Sequence, residues 1–186
     1  MSSFPSLPIR ADLEHLFCTF PKGAKPLMEL HDQLLRSDDS ELEIADRELL
    51  TAYVSGLNTC TYCFGAHRTM AEAFGADPDV IDALMNDFET APINPKLRPL
   101  LIFAAKVTNR ESVLPGDTHA IFEAGWSEAT LHEVLMITCL YNFMNRLVDG
   151  AGLARKASYE RPSAQELTDK RNGTYTGWGK RAGFIS

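Results

Sequence analysis

Apolar residues recur at helical spacings of three and four along almost the whole chain, and no stretch sustains the period-two alternation of a half-buried strand. That feature alone restricts the fold to packed helices. A short first helix is expected through Ile9, Leu13, Leu16 and Phe17, stopping before Pro21 and Gly23. A second is expected over 26–35, through Leu27, Leu30, Leu34 and Leu35. Ser40 and Glu43 have capping-box spacing ahead of a helix over about 46–57, which carries Leu49, Leu50, Ala52, Tyr53 and Leu57 on one face. The next, about 61–74, ends at Gly75, a residue suited to a left-handed C-terminal position. Asp77-Pro78, Asn94-Pro95, Pro115 and Ser127 open further helices over about 78–86, 96–109, 115–124 and 128–148. The fold class is all-α.

The chain has 186 residues, enough for one domain with a sizeable core. We read 1–160 as a single helical domain, with its informative segment at 42–150, behind a Pro- and Ser-rich lead-in over 1–8. From about 161 the composition turns Gly-rich and polar, with isolated Tyr175, Trp178 and Phe184. Such a segment builds no core of its own. It is expected as an extended C-terminal arm lying across another subunit, with Trp178 and Phe184 as anchors. Surplus apolar faces point the same way, to a homo-oligomer: a dimer, trimer or hexamer. A faint echo links 75–85 with 125–136. It reflects either an ancestral repeat of helical hairpins or the general likeness of helix–Gly–cap–helix units.

The charge balance is 18 basic against 25 acidic residues, a net −7. Nucleic acid and anionic membranes select the opposite sign. No run of 18 apolar residues is present, and the first residues lack a basic start followed by an apolar stretch, so a cytoplasmic protein is expected. Four cysteines are too few for a disulfide scaffold, and in a reducing compartment a close pair points to metal or redox chemistry.

That pair is Cys60 and Cys63, at the start of the 61–74 helix. Free N–H groups and the positive end of the helix dipole stabilise a thiolate there. Cys63 and His67 are four residues apart and share a helix face, so the imidazole is placed to take the thiol's proton. Glu48, on the preceding helix, falls at the edge of the apolar face beside Arg47, Thr51, Ser55 and Asn58. In a helical hairpin its carboxylate reaches the cysteines, orients His67 or passes protons. Three readings share these residues: buried inert thiols, a zinc site of Cys60, Cys63 and His67 with Glu48 as fourth ligand, and thiol redox chemistry. The matched histidine speaks against the first. The lack of a second CxxC or HxxxH pair speaks against the second. We therefore expect redox chemistry without metal or cofactor.

The spacing Glu48, eleven residues, Cys60, two, Cys63, three, His67 resembles the signature of the alkylhydroperoxidase AhpD and carboxymuconolactone decarboxylase superfamily, more narrowly its peroxidase-related branch. The resemblance covers roughly 42–150 and includes the run Asn-Phe-Met-Asn-Arg at 142–146. It implies an all-helical fold built from related hairpins and assembled as trimers or hexamers. It also implies a thiol peroxidase, in which Cys63 attacks a hydroperoxide and becomes sulfenic acid. Cys60 then resolves it to a disulfide, Glu48 and His67 relay protons, and an external dithiol restores the thiols. One position departs from the pattern: Tyr62 stands where the best-known members carry a second histidine, and a phenol is a poor relay at neutral pH. The members that decarboxylate generally lack the cysteine pair. The alternatives are a redox-sensing or zinc-binding module, or a decarboxylase-like enzyme for a small cyclic substrate.

Elsewhere, Cys18 and Cys139 are expected as buried inert thiols, and His15 and His31 as surface or interface residues. His132 and Arg146 are candidates for the pocket, Arg146 also as a partner of Glu43 or Asp149.

Overall fold

The computed structural model describes residues 2–156 and 159–186; Met1, Ala157 and Ser158, which the expected lead-in and domain include, lie outside the described residues. Among the described residues there are ten α-helices and no strand: α1 (Leu13–Thr19), α2 (Ala24–Leu35), α3 (Ile44–Leu57), α4 (Thr61–Ala73), α5 (Pro78–Asn86), α6 (Arg98–Asn109), α7 (Pro115–Glu123), α8 (Glu128–Ala151), α9 (Ala164–Asn172) and α10 (Tyr175–Ala182). A short 3-10 turn, Pro95–Leu97, precedes α6. The all-α fold class holds.

Most boundaries follow the local chemistry that announces them. Asp77 caps α5 by accepting from Asp79 N–H, with Pro78 in the first turn, and Ser127 caps α8 by accepting from Thr130 N–H. Gly75, just past α4, sits at φ 100°, where a side chain would be strained. Two starts differ from expectation. α1 begins at Leu13 because Asp12 and His15 form a reciprocal cap, which leaves Ile9 outside the helix and exposed. Ser40 does not cap α3. Its hydroxyl instead donates to Glu133 on α8, and α3 starts after Glu43.

The central helix is α3. Leu49, Leu50, Ala52, Tyr53 and Val54 pack on Leu100, Leu101 and Phe103 of α6 and on Ile137, Leu140, Tyr141 and Met144 of α8. Each large side chain buried there contributes about 1.5–3 kcal/mol. The other face of α3 is polar yet equally buried: Arg47, Glu48, Thr51 and Ser55 all lie inside. Thr51 and Ser55 satisfy their hydroxyls on carbonyls one turn back. Ser55 also receives the Asn145 amide, whose oxygen accepts from Asn58, so a polar seam ties α3 to α8 beneath the expected site.

The C-terminal segment departs from the extended arm expected of it. It folds as α9 and α10 and packs on its own chain. Asp32 of α2 accepts from Tyr175 N–H at 2.6 Å and Thr176 N–H at 3.0 Å, which fixes the start of α10. Phe184 and Ile185 then bury themselves with Phe17, Ala24 and Met28. Trp178 packs edge-on against Phe184, ring centroids 4.9 Å apart. The physical reason is complementarity the sequence concealed: an acid on α2 and an apolar pocket between α1 and α2 meet a segment that is too polar to fold alone.

Candidate active site

The α3–α4 hairpin brings Glu48 and His67 together. His67 Nδ1–H donates to Glu48 Oε2 at 2.6 Å. The other carboxylate oxygen accepts from Arg36 Nη1 at 2.5 Å and from the Tyr175 hydroxyl at 3.1 Å. Glu48 has no exposed surface. Burial pushes its carboxyl pKa up, but His67 and Arg36 outweigh that and hold it at about 2. Arg36 is itself sandwiched between the rings of Phe74 and Tyr175, 4.8 and 4.9 Å from its guanidinium carbon. The carboxylate does not reach the cysteines, one of the arrangements open from the sequence. It orients His67.

Cys60 is the N-cap residue of α4 and Cys63 lies in its first turn; both thiols are free and buried. They face a shared seam with Tyr62 and Val148. The proton they share decides their ionisation. A hydrogen bond from the Cys63 thiol, helped by the N–H groups at the helix start, pulls the Cys60 thiol down. The same interaction and burial push Cys63 up. The first negative charge of the pair therefore rests on Cys60, which accepts the hydrogen bond from the Cys63 thiol. Cys63 is nevertheless the cysteine that lines the cavity.

That cavity, of about 240 Å³, opens between α4, α2, α8 and the C-terminal helices. His67, Tyr62 and Tyr141 share its wall with Cys63. The ring of Tyr141 stands edge-on to His67, centroids 4.5 Å apart. Its hydroxyl is buried with no hydrogen-bond partner among the described residues. Tyr62 accepts from Leu13 N–H at 3.3 Å, and burial pushes its phenol well up, so it is a neutral hydrogen-bonding group and no proton relay.

Several residues fall elsewhere than expected. His132 and Arg146 are exposed and do not line the cavity. Arg146 donates to the carbonyl and side chain of Asn142 rather than to Glu43 or Asp149. In the run at 142–146, Met144 and Asn145 are buried and Asn142 is half-buried, while Phe143 and Arg146 are exposed. Cys18 and Cys139 are exposed, the first with its thiol on the Ala182 carbonyl at 3.4 Å. His31, expected at the surface, is buried in the cavity wall. It donates Nδ1–H to the Leu27 carbonyl at 2.7 Å, and burial lowers its pKa to about 4, which keeps it neutral. Arg36, Tyr175 and His31 were not singled out for the site. A lone arginine at a helix end, a tyrosine in a polar tail and an unpatterned histidine carry no spacing signal. Among the described residues no three His, Cys, Asp or Glu side chains group as metal ligands. Both oxygens of Glu48 are engaged, by His67 and by Arg36 and Tyr175, so Glu48 is not free to act as a fourth zinc ligand.

The Carboxymuconolactone decarboxylase family matches residues 21–91, a span that includes Glu48, Cys60, Cys63 and His67. No functionally curated protein matches the chain by sequence. Among solved structures, an uncharacterized peroxidase-related protein from Silicibacter sp. TM1040 is similar with TM-score 0.73 and 22% identity, over 80% of this chain and 78% of that one. An uncharacterized peroxidase-related protein with an alkylhydroperoxidase AhpD core, from Ralstonia eutropha JMP134, is similar with TM-score 0.72 and 26% identity, over 77% and 76%. A protein of unknown function from Agrobacterium tumefaciens, named as a candidate AhpD-type antioxidant defence protein, is similar with TM-score 0.66 and 18% identity, over 76% and 96%. Residues 21–91 are thus similar to the Carboxymuconolactone decarboxylase family, and the fold is similar to that of peroxidase-related proteins with an alkylhydroperoxidase AhpD core.

Proposed function

We propose that the protein is a thiol-dependent peroxidase acting on organic hydroperoxides. The observation that carries the reading is the placement of a free Cys63 on a cavity wall beside a Glu48-oriented His67, with Cys60 directly behind it. The chemistry follows from those positions. The Cys63 proton passes to Cys60, which leaves the cavity-facing sulfur as thiolate. That sulfur attacks the terminal oxygen of the hydroperoxide, and the O–O bond breaks. The departing alkoxide takes a proton from protonated His67 and leaves as an alcohol, while Cys63 becomes a sulfenic acid. Cys60 gives up its proton as its sulfur attacks that of Cys63. A disulfide forms, and the departing hydroxide takes that proton and leaves as water. An external dithiol returns both cysteines to thiols and is itself oxidised to a disulfide. Arg36 and Tyr175 keep Glu48 ionised and still, so that Glu48 holds the His67 ring in one orientation throughout.

Stopped-flow mixing of the reduced protein with cumene hydroperoxide tests this, with sulfenic acid trapped on Cys63. A Cys63→Ser variant that consumes peroxide at the wild-type rate would overturn the assignment. Homo-oligomeric assembly belongs to the same proposal. It is supported by Phe143, Phe20 and Phe4, which stay exposed along one apolar groove. Light scattering checks it, and a monomer mass at micromolar concentration sinks it. No described helix is long and apolar enough to cross a membrane.

A further inference from the structure

The cavity has a charge that the rest of the molecule does not share. The chain carries a net −7, yet Arg36, Lys156, Lys170 and Arg181 line this cavity against one acid, Asp169. Two of the cations are already matched. Arg36 pairs with Glu48, and Lys156 pairs with Asp12 at 2.8 Å. Lys170 and Arg181 form no ion pair among the described residues. The ammonium of Lys170 lies over the Tyr159 ring, 5.6 Å from its centroid. Burial lowers the pKa of Lys170, so an anion placed beside it would restore favourable charge. Asp169 accepts from Gln165 Nε2 at 2.8 Å; it and Arg181 are exposed, and Lys170 is half-buried.

The same wall has an apolar part, Leu13, Met28, Met70 and Met144, and Cys63 and Tyr141 line it too. The Tyr141 hydroxyl is buried beside the Tyr175 hydroxyl without a well-formed hydrogen bond, so a ligand oxygen in the cavity could complete its donor. The cavity therefore combines cationic side chains, apolar wall and hydrogen-bonding groups with a thiol, Cys63. Its volume, about 240 Å³, admits roughly eight water-sized groups.

We propose that the substrate is an organic hydroperoxide with a carboxylate at the far end of a short apolar chain. Lys170 and Arg181 hold the carboxylate, and the peroxide end meets Tyr141 and Cys63. This assignment rests on the peroxidase reading for the reaction, but the recognition it describes is independent of turnover. Both cations come from the C-terminal helices, which Arg171 ties to the Ala73 carbonyl at 2.6 Å and Asp32 ties to α2. The segment expected to reach another subunit is then the part of this chain that selects the ligand.

Isothermal titration calorimetry of the full chain with octanoate and with 1-octanol tests this without any peroxide chemistry. Octanoate is expected to bind about tenfold more tightly than the alcohol of the same length. Lys170→Gln combined with Arg181→Gln is expected to erase the difference. Added salt should weaken octanoate binding to the wild-type protein and leave octanol unaffected, a measurement that needs no variant. In a Cys18→Ser, Cys139→Ser background, octanoate should also shield Cys63 from iodoacetamide, which locates the ligand in this cavity. Equal affinity for acid and alcohol, or a Cys63 left unshielded, overturns the proposal. If octanoate binds as expected while no hydroperoxide is consumed, the peroxidase reading fails and the anion site stands.

Discussion

The Tyr175 hydroxyl donates to Glu48 Oε1 across 127 positions of sequence, so a helix outside the cysteine motif supplies the last hydrogen bond to the carboxylate at its centre. Hydrogen bonds to a buried charge contribute about 1.5–3 kcal/mol. Tyr175→Phe should lower the unfolding free energy by about that amount in urea titration. It should also slow Cys63 oxidation, because Glu48 then holds His67 less firmly. An unchanged midpoint and rate together would remove Tyr175 from the site.

Glu48 sets the acid limit of the fold. Its folded pKa, about 2, lies below the ordinary value of 4.5. The stabilisation it provides is complete above pH 4.5 and is lost as pH falls towards 2. Glu48→Gln leaves Arg36 buried without its counter-charge and should cost about 3–5 kcal/mol at neutral pH. Chemical denaturation of both proteins from pH 7 to 3 should show the gap narrowing only below pH 4.5. A gap that stays constant down to pH 3 would sink the linkage.

His31 acts in a higher window. Its folded pKa is about 4, against 6.5 for a free imidazole, so the folded state resists its protonation. Stability is full above pH 6.5 and declines as pH falls from 6.5 to 4. Replacing His31 with Gln should flatten that part of the stability curve. Direct NMR titration of the imidazole offers a second check, and a resonance that shifts near pH 6.5 would contradict the buried, neutral ring.

The shared proton of the cysteine pair makes a counterintuitive claim about reactivity. Cys60 raises the Cys63 pKa, so taking Cys60 away should lower it. In a Cys18→Ser, Cys139→Ser background, adding Cys60→Ser should move the pH profile of Cys63 alkylation to lower pH. Mass spectrometry after iodoacetamide reads this site by site. A profile that moves upward, or not at all, would show that the two thiols do not share a proton.

Gly179 tests the docking of the C-terminal helices. A methyl group there would meet Ile185 at 2.4 Å and Phe184 at 2.9 Å, inside any ordinary contact distance. Gly179→Ala should cost about 1–3 kcal/mol and increase protease cleavage within 160–186 before the rest of the chain is attacked. Cleavage rates matching the wild type would show the segment to be held by other contacts.

What the sequence made legible follows from how local each signal is. Asp77-Pro78, Ser127 and Gly75 announce helix ends through bonds to their own neighbours, and the structure agrees with them. The 48–60–63–67 spacing is local too, since one hairpin carries it. His132 and Arg146 misled for the same reason that His31 was overlooked: which face of a helix turns inward depends on partners far away in sequence. Arg36 meets Glu48 only because α2 crosses α3, and Tyr175 meets it only after α10 docks through Asp32. The order of ionisation within the cysteine pair depends on which thiol donates to the other, a property of side-chain geometry and not of spacing.

Synthesis from the N-terminus puts these parts in sequence. Arg36, Glu48 and His67 leave the ribosome well before Tyr175 and Phe184. A chain made only that far lacks the C-terminal residues, 169–181, that complete the cavity wall. The same dependence constrains handling in the laboratory. Ile185 is buried beside Phe17 and Met28, so a purification tag fused directly after Ser186 would press on the roof of the cavity. A tag at the opposite end leaves that roof seated.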